Sequence, residues 1–159
     1  MKKILIFIVF FIIFGCSSKK EITQEEKILI GKIERSTLSN PDFPWYQRNY
    51  QNYNVPDSII NKLKVDFSQI YCKIFLGTWC SDSKREVPRI LKIFDLISFK
   101  NYEIIGLGRD KKSSGGEERE LNIQKVPTII FYKNEKEIGR IIETPTKTLE
   151  EDILDILSK

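Results

Sequence analysis

The sequence has no histidine and no alanine, a single methionine, and three cysteines among 159 residues. Without histidine there is no Ser-His-Asp triad, no Cys-His nucleophile pair and no imidazole acid, base or metal ligand. Three cysteines alone do not complete a tetrahedral zinc site within one chain, so no metal and no cofactor are expected. An excess of one charge is lacking too. The 26 Lys+Arg against 22 Asp+Glu give a net charge of +4, evenly mixed along the chain, which argues against a nucleic-acid partner. Internal repeats and low-complexity runs are absent. At this length one domain is expected, and we expect a monomer.

The chain opens with Lys2 and Lys3, then an unbroken apolar run from Ile4 to Phe14, then Gly15 and Cys16. A basic start, an apolar run too short to span a membrane comfortably and a small residue describe a secretory signal peptide. Cys16 directly after a small residue resembles the lipobox of bacterial lipoproteins. The resemblance implies that residues 1–15 are removed, that Cys16 is lipidated, and that the chain is held to a membrane of the bacterial cell envelope, on its periplasmic or its surface side. An uncleaved anchor with an incidental cysteine would give the same attachment. Residues 16–22 then form a polar tether.

The rest divides into a helical extension, 23–66, and a main body, 67–159. Thr23 and Glu26 have capping-box spacing and predict a helix to about Thr37 that buries Ile28, Leu29 and Ile33. Ser39 to Pro44 breaks it. Trp45, Tyr46, Tyr50 and Tyr53 recur at helical spacing and read as packing, and Pro56 begins another short helix with Ile59, Ile60 and Leu63. In the main body, Ile70–Leu76 is a buried strand, Gly77–Trp79 a turn, and Ser81 to about Ser98 an amphipathic helix with Val87, Ile90, Leu91, Phe94 and Ile97 on one face. Tyr102–Leu107, Thr128–Tyr132 and Glu137–Ile142 are three further strands. Arg109–Gly116 is a charged, glycine-containing loop that reads as solvated, and Glu117–Asn122 predicts one or two helical turns. Thr148 and Glu151 form a second capping box before a C-terminal helix. Strand-helix-strand followed by hairpin-helix predicts an α/β fold with one four-stranded mixed sheet and helices on both faces.

The sharpest chemical feature is Thr78-Trp79-Cys80-Ser81-Asp82-Ser83. Cys80 stands where a strand turns into a helix. Unpaired backbone N–H groups and the positive end of the helix dipole favour the thiolate there. Ser83 lies one turn on, with a hydroxyl placed to donate to the sulfur.

Here the sequence resembles the thioredoxin superfamily, specifically thioredoxin-like lipoproteins of the bacterial envelope. Trp79-Cys80 matches the Trp-Cys that opens the family's active-site motif, and Pro88 the proline eight residues after that cysteine. Val126-Pro127-Thr128 matches the Val-Pro-Thr whose proline is cis and lies beside the catalytic sulfur. Gly139 matches a glycine of the last strand. The resemblance covers about Phe67 to Lys159. It implies a thioredoxin-like fold, Cys80, Ser83 and Trp79 as catalytic residues, and Val126 and Pro127 as substrate-binding residues.

Two departures shape the expected chemistry. The family's second cysteine is Ser83, and the carboxylate it buries six residues before the nucleophile is Ile74. Cys72 is no substitute for the missing thiol. The five strand residues separating it from the turn span on the order of 16 Å, whereas a disulfide needs Cα atoms within about 7 Å. The leading expectation is a membrane-anchored monothiol thiol-disulfide oxidoreductase, acting through Cys80 on exported proteins or low-molecular-weight thiols. The alternative is a redox-inactive thioredoxin fold that grips an extended peptide beside Pro127. Two other readings are set aside. Iron–sulfur binding through Cys80 suits a cytosolic protein rather than an exported one, and a peroxiredoxin would carry Thr at the position of Gly77.

Overall fold

The computed structural model describes residues 26–158. The signal segment, Cys16 and Thr23 lie outside the described residues. The elements run β1 (Gly31–Lys32), α1 (Arg35–Leu38), α2 (Pro44–Asn52), α3 (Asp57–Leu63), β2 (Ile70–Leu76), α4 (Ser81–Leu96), β3 (Tyr102–Gly106), β4 (Thr128–Lys133), β5 (Lys136–Ile142) and α5 (Leu149–Leu157). None of the helices among the described residues is long and apolar enough to cross a membrane.

The sheet has five strands, not four, in the order β1-β3-β2-β4-β5. β2 and β3 are parallel and the other pairs antiparallel. Ile74 opposes both Ile104 and Ile129, which sets the register at the centre. One face of the sheet, through Cys72, Ile74, Leu76, Ile104, Ile129 and Phe131, joins a large core with buried residues from every helix. A smaller core on the other face holds Phe75, Ile105, Leu107, Val126 and Ile130, with Trp79, Cys80, Leu121 and Ile123 against it. Among the described residues it holds no helical residue, so the helices expected on both faces pack on one. The predicted turns of helix at Glu117–Asn122 are non-helical as well. Glu120 and Asn122 both take positive φ, 64° and 53°, and that backbone cannot continue a right-handed helix.

The larger correction is at the chain's start. Residues 26–33 are an extended strap rather than a helix. β3 would otherwise leave one edge unpaired, and an open edge favours strand addition. The strap pairs Gly31 with Gly106 and Lys32 with Ile105. Two glycines allow the approach. Gly31 takes φ +90°, and a side chain at Gly106 would collide with the Leu29 carbonyl oxygen.

α4 carries Pro88 in its interior, and a proline there cannot donate to the carbonyl four residues back. Asn49 of α2 supplies the lost donor, with Nδ2 at 2.7 Å from the Lys84 carbonyl oxygen. The proline therefore becomes a joint between α2 and α4. At the far end of α4, Arg35 makes a second joint. Its guanidinium meets both oxygens of Asp95 at 2.8 and 2.6 Å and donates to the Tyr46 hydroxyl at 2.8 Å. The Tyr50 hydroxyl donates to Asp95 as well, at 2.7 Å. α5 opens on the expected capping box, with Thr148 and Glu151 bonded reciprocally.

Arg35 holds the Asp95 carboxyl well below the ordinary carboxylate range, against the opposing effect of partial burial. Its ionised form therefore stabilises the fold above pH about 4, and this contribution fades as pH falls through the lowered folded-state value. Asp95→Asn should cost about 2 kcal/mol at neutral pH, measured by urea unfolding. The gap to wild type should narrow as pH drops below about 4; a gap unchanged down to strongly acid pH would show that the charge is not what Arg35 holds.

Candidate functional site

β2 ends at Leu76, and three residues turn the chain into α4. The turn is tight because Gly77 lies under the Trp79 ring; a Cβ on Gly77 would stand 2.6 Å from it. Cys80 is the N-cap of α4, with extended backbone (φ −90°, ψ 128°) and no side-chain cap bond. The Cys80 carbonyl accepts the first helical bond, from Lys84 N–H at 3.0 Å.

The chain brings Cys80 together with Val126 and Pro127. The Val126–Pro127 peptide bond is cis, and the Cys80 thiol donates to the Val126 carbonyl oxygen at 3.0 Å. Cys80 is partly exposed and packs against the smaller core, which among the described residues holds no helical residue. Trp79 flanks it. Its indole Nε1 donates to the Leu107 carbonyl oxygen at 3.0 Å, and the Arg109 guanidinium lies 5.2 Å from the ring centroid. Trp79 thus reaches across to the end of β3 and fixes the wall of the site.

Ser83 is placed differently from expectation. It is fully buried, and its hydroxyl oxygen accepts from the Gly77 N–H at 3.1 Å instead of serving the Cys80 sulfur. Gly77 follows the last β2 residue, and its N–H needs a partner once buried. The hydroxyl supplies one, so Ser83 acts as a brace of the turn.

Cys72 is fully buried in β2, between Tyr102 of β3 and Phe131 of β4. Burial pushes its thiol well above the ordinary cysteine value, which keeps it protonated and inert. Ile74 is also fully buried, so no carboxylate lies beneath the sulfur at that position. Neither described cysteine is in a disulfide. Among the described residues no cluster of Cys, Asp and Glu is arranged to hold a metal ion.

Three features of the site were not foreseen from sequence. Thr78 is buried and clasps the strap, donating to the Lys27 carbonyl oxygen at 2.9 Å and accepting from Leu29 N–H at 3.2 Å. Glu26 of the strap bridges Lys84 and Arg109. Glu86, on α4, is a buried carboxylate whose Oε1 meets Arg85 and Arg89 while Oε2 has no partner. Only the identity of Thr78, next to the Trp-Cys pair, hinted at any of this; the other partners lie 58 and 83 residues from Glu26 in the chain.

No protein-family model matches this sequence, and no curated protein does. Solved structures share its fold, two of which show the extent of the likeness. One is the crystal structure of PA1234, a protein of unknown function from Pseudomonas aeruginosa, at 16% identity and TM-score 0.58, covering 72% of this chain and 82% of that one. The other is an HIV epitope-scaffold protein, also 16% identical, with TM-score 0.53, covering 72% of this chain and 80% of that one. The likeness in both is one of fold alone.

Ser83→Ala separates a brace from a partner of the sulfur. It leaves the Gly77 N–H buried and unpaired, which costs about 1–3 kcal/mol. Urea unfolding should show that loss while the alkylation rate of Cys80 stays close to wild type. A variant of wild-type stability with an altered Cys80 rate would return Ser83 to the sulfur.

Proposed function

We propose that this chain is a monothiol thioredoxin-like oxidoreductase of the bacterial envelope, anchored through lipid on Cys16 and acting through Cys80. The observation that carries the reading is the pairing of a partly exposed helix-start cysteine with the Val126–Pro127 segment, its sulfur 3.0 Å from the Val126 carbonyl oxygen. A buried structural cysteine such as Cys72 has no such setting.

In the proposed reaction the Cys80 thiolate attacks one sulfur of a substrate disulfide. A Cys80–substrate S–S bond forms, the original S–S bond breaks, and the leaving thiolate takes a proton from solvent. With Ser83 in place of a second cysteine and Cys72 sealed in the sheet, no thiol among the described residues releases this mixed disulfide. An external thiol does, on a low-molecular-weight compound or an exported protein, and Cys80 is restored. Trp79 walls the site, and Val126 and Pro127 line the place where substrate would lie.

The test adds the missing thiol. Residues three apart in a first helical turn are neighbours, so Ser83→Cys should form a reversible intramolecular disulfide with Cys80. The variant should lose two free thiols on mild oxidation and reduce insulin faster than wild type. Wild type should accumulate a mixed disulfide on Cys80 until an external thiol is added. Free thiols persisting at both positions 80 and 83 of the oxidised variant, beside the buried thiol of Cys72, would contradict the placement of the motif. Catalytic insulin reduction by wild type at the variant's rate would contradict the monothiol mechanism. A Cys80 that forms no mixed disulfide at all would favour the peptide-binding module.

A further inference from the structure

The charges around Cys80 are paired with one notable exception in kind. Asp82 is held by Arg85 at 2.8 Å, Lys125 by Glu143 at 2.6 Å, and Lys27 by Asp42 at 2.8 Å. Asp110 accepts from the Lys112 N–H at 3.2 Å. Lys84 and Arg109 share a single carboxylate, that of Glu26. Glu26 Oε1 meets Lys84 Nζ, and Oε2 meets Arg109 Nη2 at 2.9 Å. Two cations therefore converge on one anion, each taking one oxygen. Both cations flank the reactive turn: Lys84 is one helical turn after Cys80, and Arg109 stacks over Trp79.

We propose that Lys84 and Arg109 form a carboxylate-binding subsite beside Cys80, filled in the resting protein by Glu26 of its own strap, and that the preferred substrates of Cys80 are disulfides bearing a carboxylate. This rests on Cys80 being the thiol proposed above, and it names the substrate class of that site.

The magnitudes allow exchange. Glu26 is partly exposed, at 38%, and Arg109 at 63%, and ion pairs this open are worth only about 0–1 kcal/mol. A substrate carboxylate thus competes with Glu26 on nearly even terms. The strap does not have to leave when Glu26 swings out. Thr78 holds Lys27 and Leu29, Lys27 is paired with Asp42, and Ile33 N–H is bonded to the Ile104 carbonyl oxygen at 2.9 Å. Glu26 and Lys84 line a cavity of about 340 Å³ together with the Lys27–Asp42 ion pair and Phe43, Pro44, Trp45 and Thr78. That is within the range of small-ligand sites, from about 300 Å³ upward, and its aromatic wall suits the apolar part of such a substrate.

The chemistry is thiol-disulfide exchange as written above: the Cys80–sulfur bond forms, the substrate S–S bond breaks, and the departing thiolate carries the electron pair. The charge of the substrate enters only through where its carboxylate sits.

Two aromatic disulfides test the proposal: the dianionic dithiobis-nitrobenzoate and the uncharged dithiodipyridine. Rates at Cys80 are taken on the full chain carrying Cys16→Ser, in neutral detergent, each divided by the rate with a free reference thiol. Glu26→Gln should raise the anionic rate about tenfold at low salt and leave the neutral rate unchanged. Lys84→Gln with Arg109→Gln should remove the preference for the anion. Added salt should shrink the preference in wild type and in Glu26→Gln. Equal acceleration of both probes by Glu26→Gln would show that Glu26 is only a steric cover, and would overturn the subsite while leaving Cys80 as the thiol. An anion-to-neutral ratio that none of the variants moves would do the same. A Cys80 that reacts with neither probe in any variant would overturn the subsite together with the thiol reading on which it rests.

Discussion

The hydrogen bond from the Gly77 N–H to the buried Ser83 hydroxyl holds the geometry of the site together. It closes a ring from the end of β2 to the first turn of α4, so the strand and helix meet at a fixed angle with Cys80 at the corner. Trp79 lies over Gly77, where no Cβ opposes it. From there its indole reaches the Leu107 carbonyl oxygen at the end of β3, and the Cys80 thiol falls against Val126 at the start of β4. One turn thus ties three central strands to one sulfur. Loss of the brace would leave a buried donor unpaired, and this is costlier than loss of an exposed bond.

A second constraint is the free edge of β3. Covering it requires an extended segment, and the strap that does so also delivers Lys27, Leu29 and Glu26 to the turn that carries Cys80. The strap's hold on the fold is completed by Arg35, which joins α1 to α2 and α4 through Tyr46 and Asp95. The segment nearest the proposed anchor is consequently packed against the proposed active site. Edge protection and the placing of Glu26 between Lys84 and Arg109 are two results of the same pairing.

Much of the main body was legible from sequence because its signals are local. β2 and the C-terminal helix follow from an apolar run and a capping box, and the amphipathic spacing of Val87, Ile90, Leu91 and Phe94 marks α4. The strap was not, since Ile28, Leu29 and Ile33 fit a helix equally well and the deciding partner, Gly106, is 75 residues from Gly31. Gly31 was the available warning: a glycine inside a helix costs about 1 kcal/mol, and its φ of +90° here shows why it is present. The region 117–122 has helix-forming side chains, yet its backbone follows the requirements of the smaller core. Within the site, Cys80, Val126 and Pro127 were legible as residues and are brought together. Ser83 was legible as a neighbour of Cys80, but spacing alone does not say which way a hydroxyl turns. Glu26, Lys84 and Arg109 come from three separate stretches of chain, and only folding assembles them.

The proposed chemistry depends on Cys80 being the reactive thiol of the folded protein and Cys72 a packing residue. Alkylation of the native full chain with iodoacetamide at neutral pH, followed by peptide mapping over time, measures this directly. The account predicts rapid labelling of Cys80 and protection of Cys72 until the protein is unfolded. Labelling of Cys72 in the native state as fast as Cys80, or a Cys80 that stays unlabelled, would contradict it.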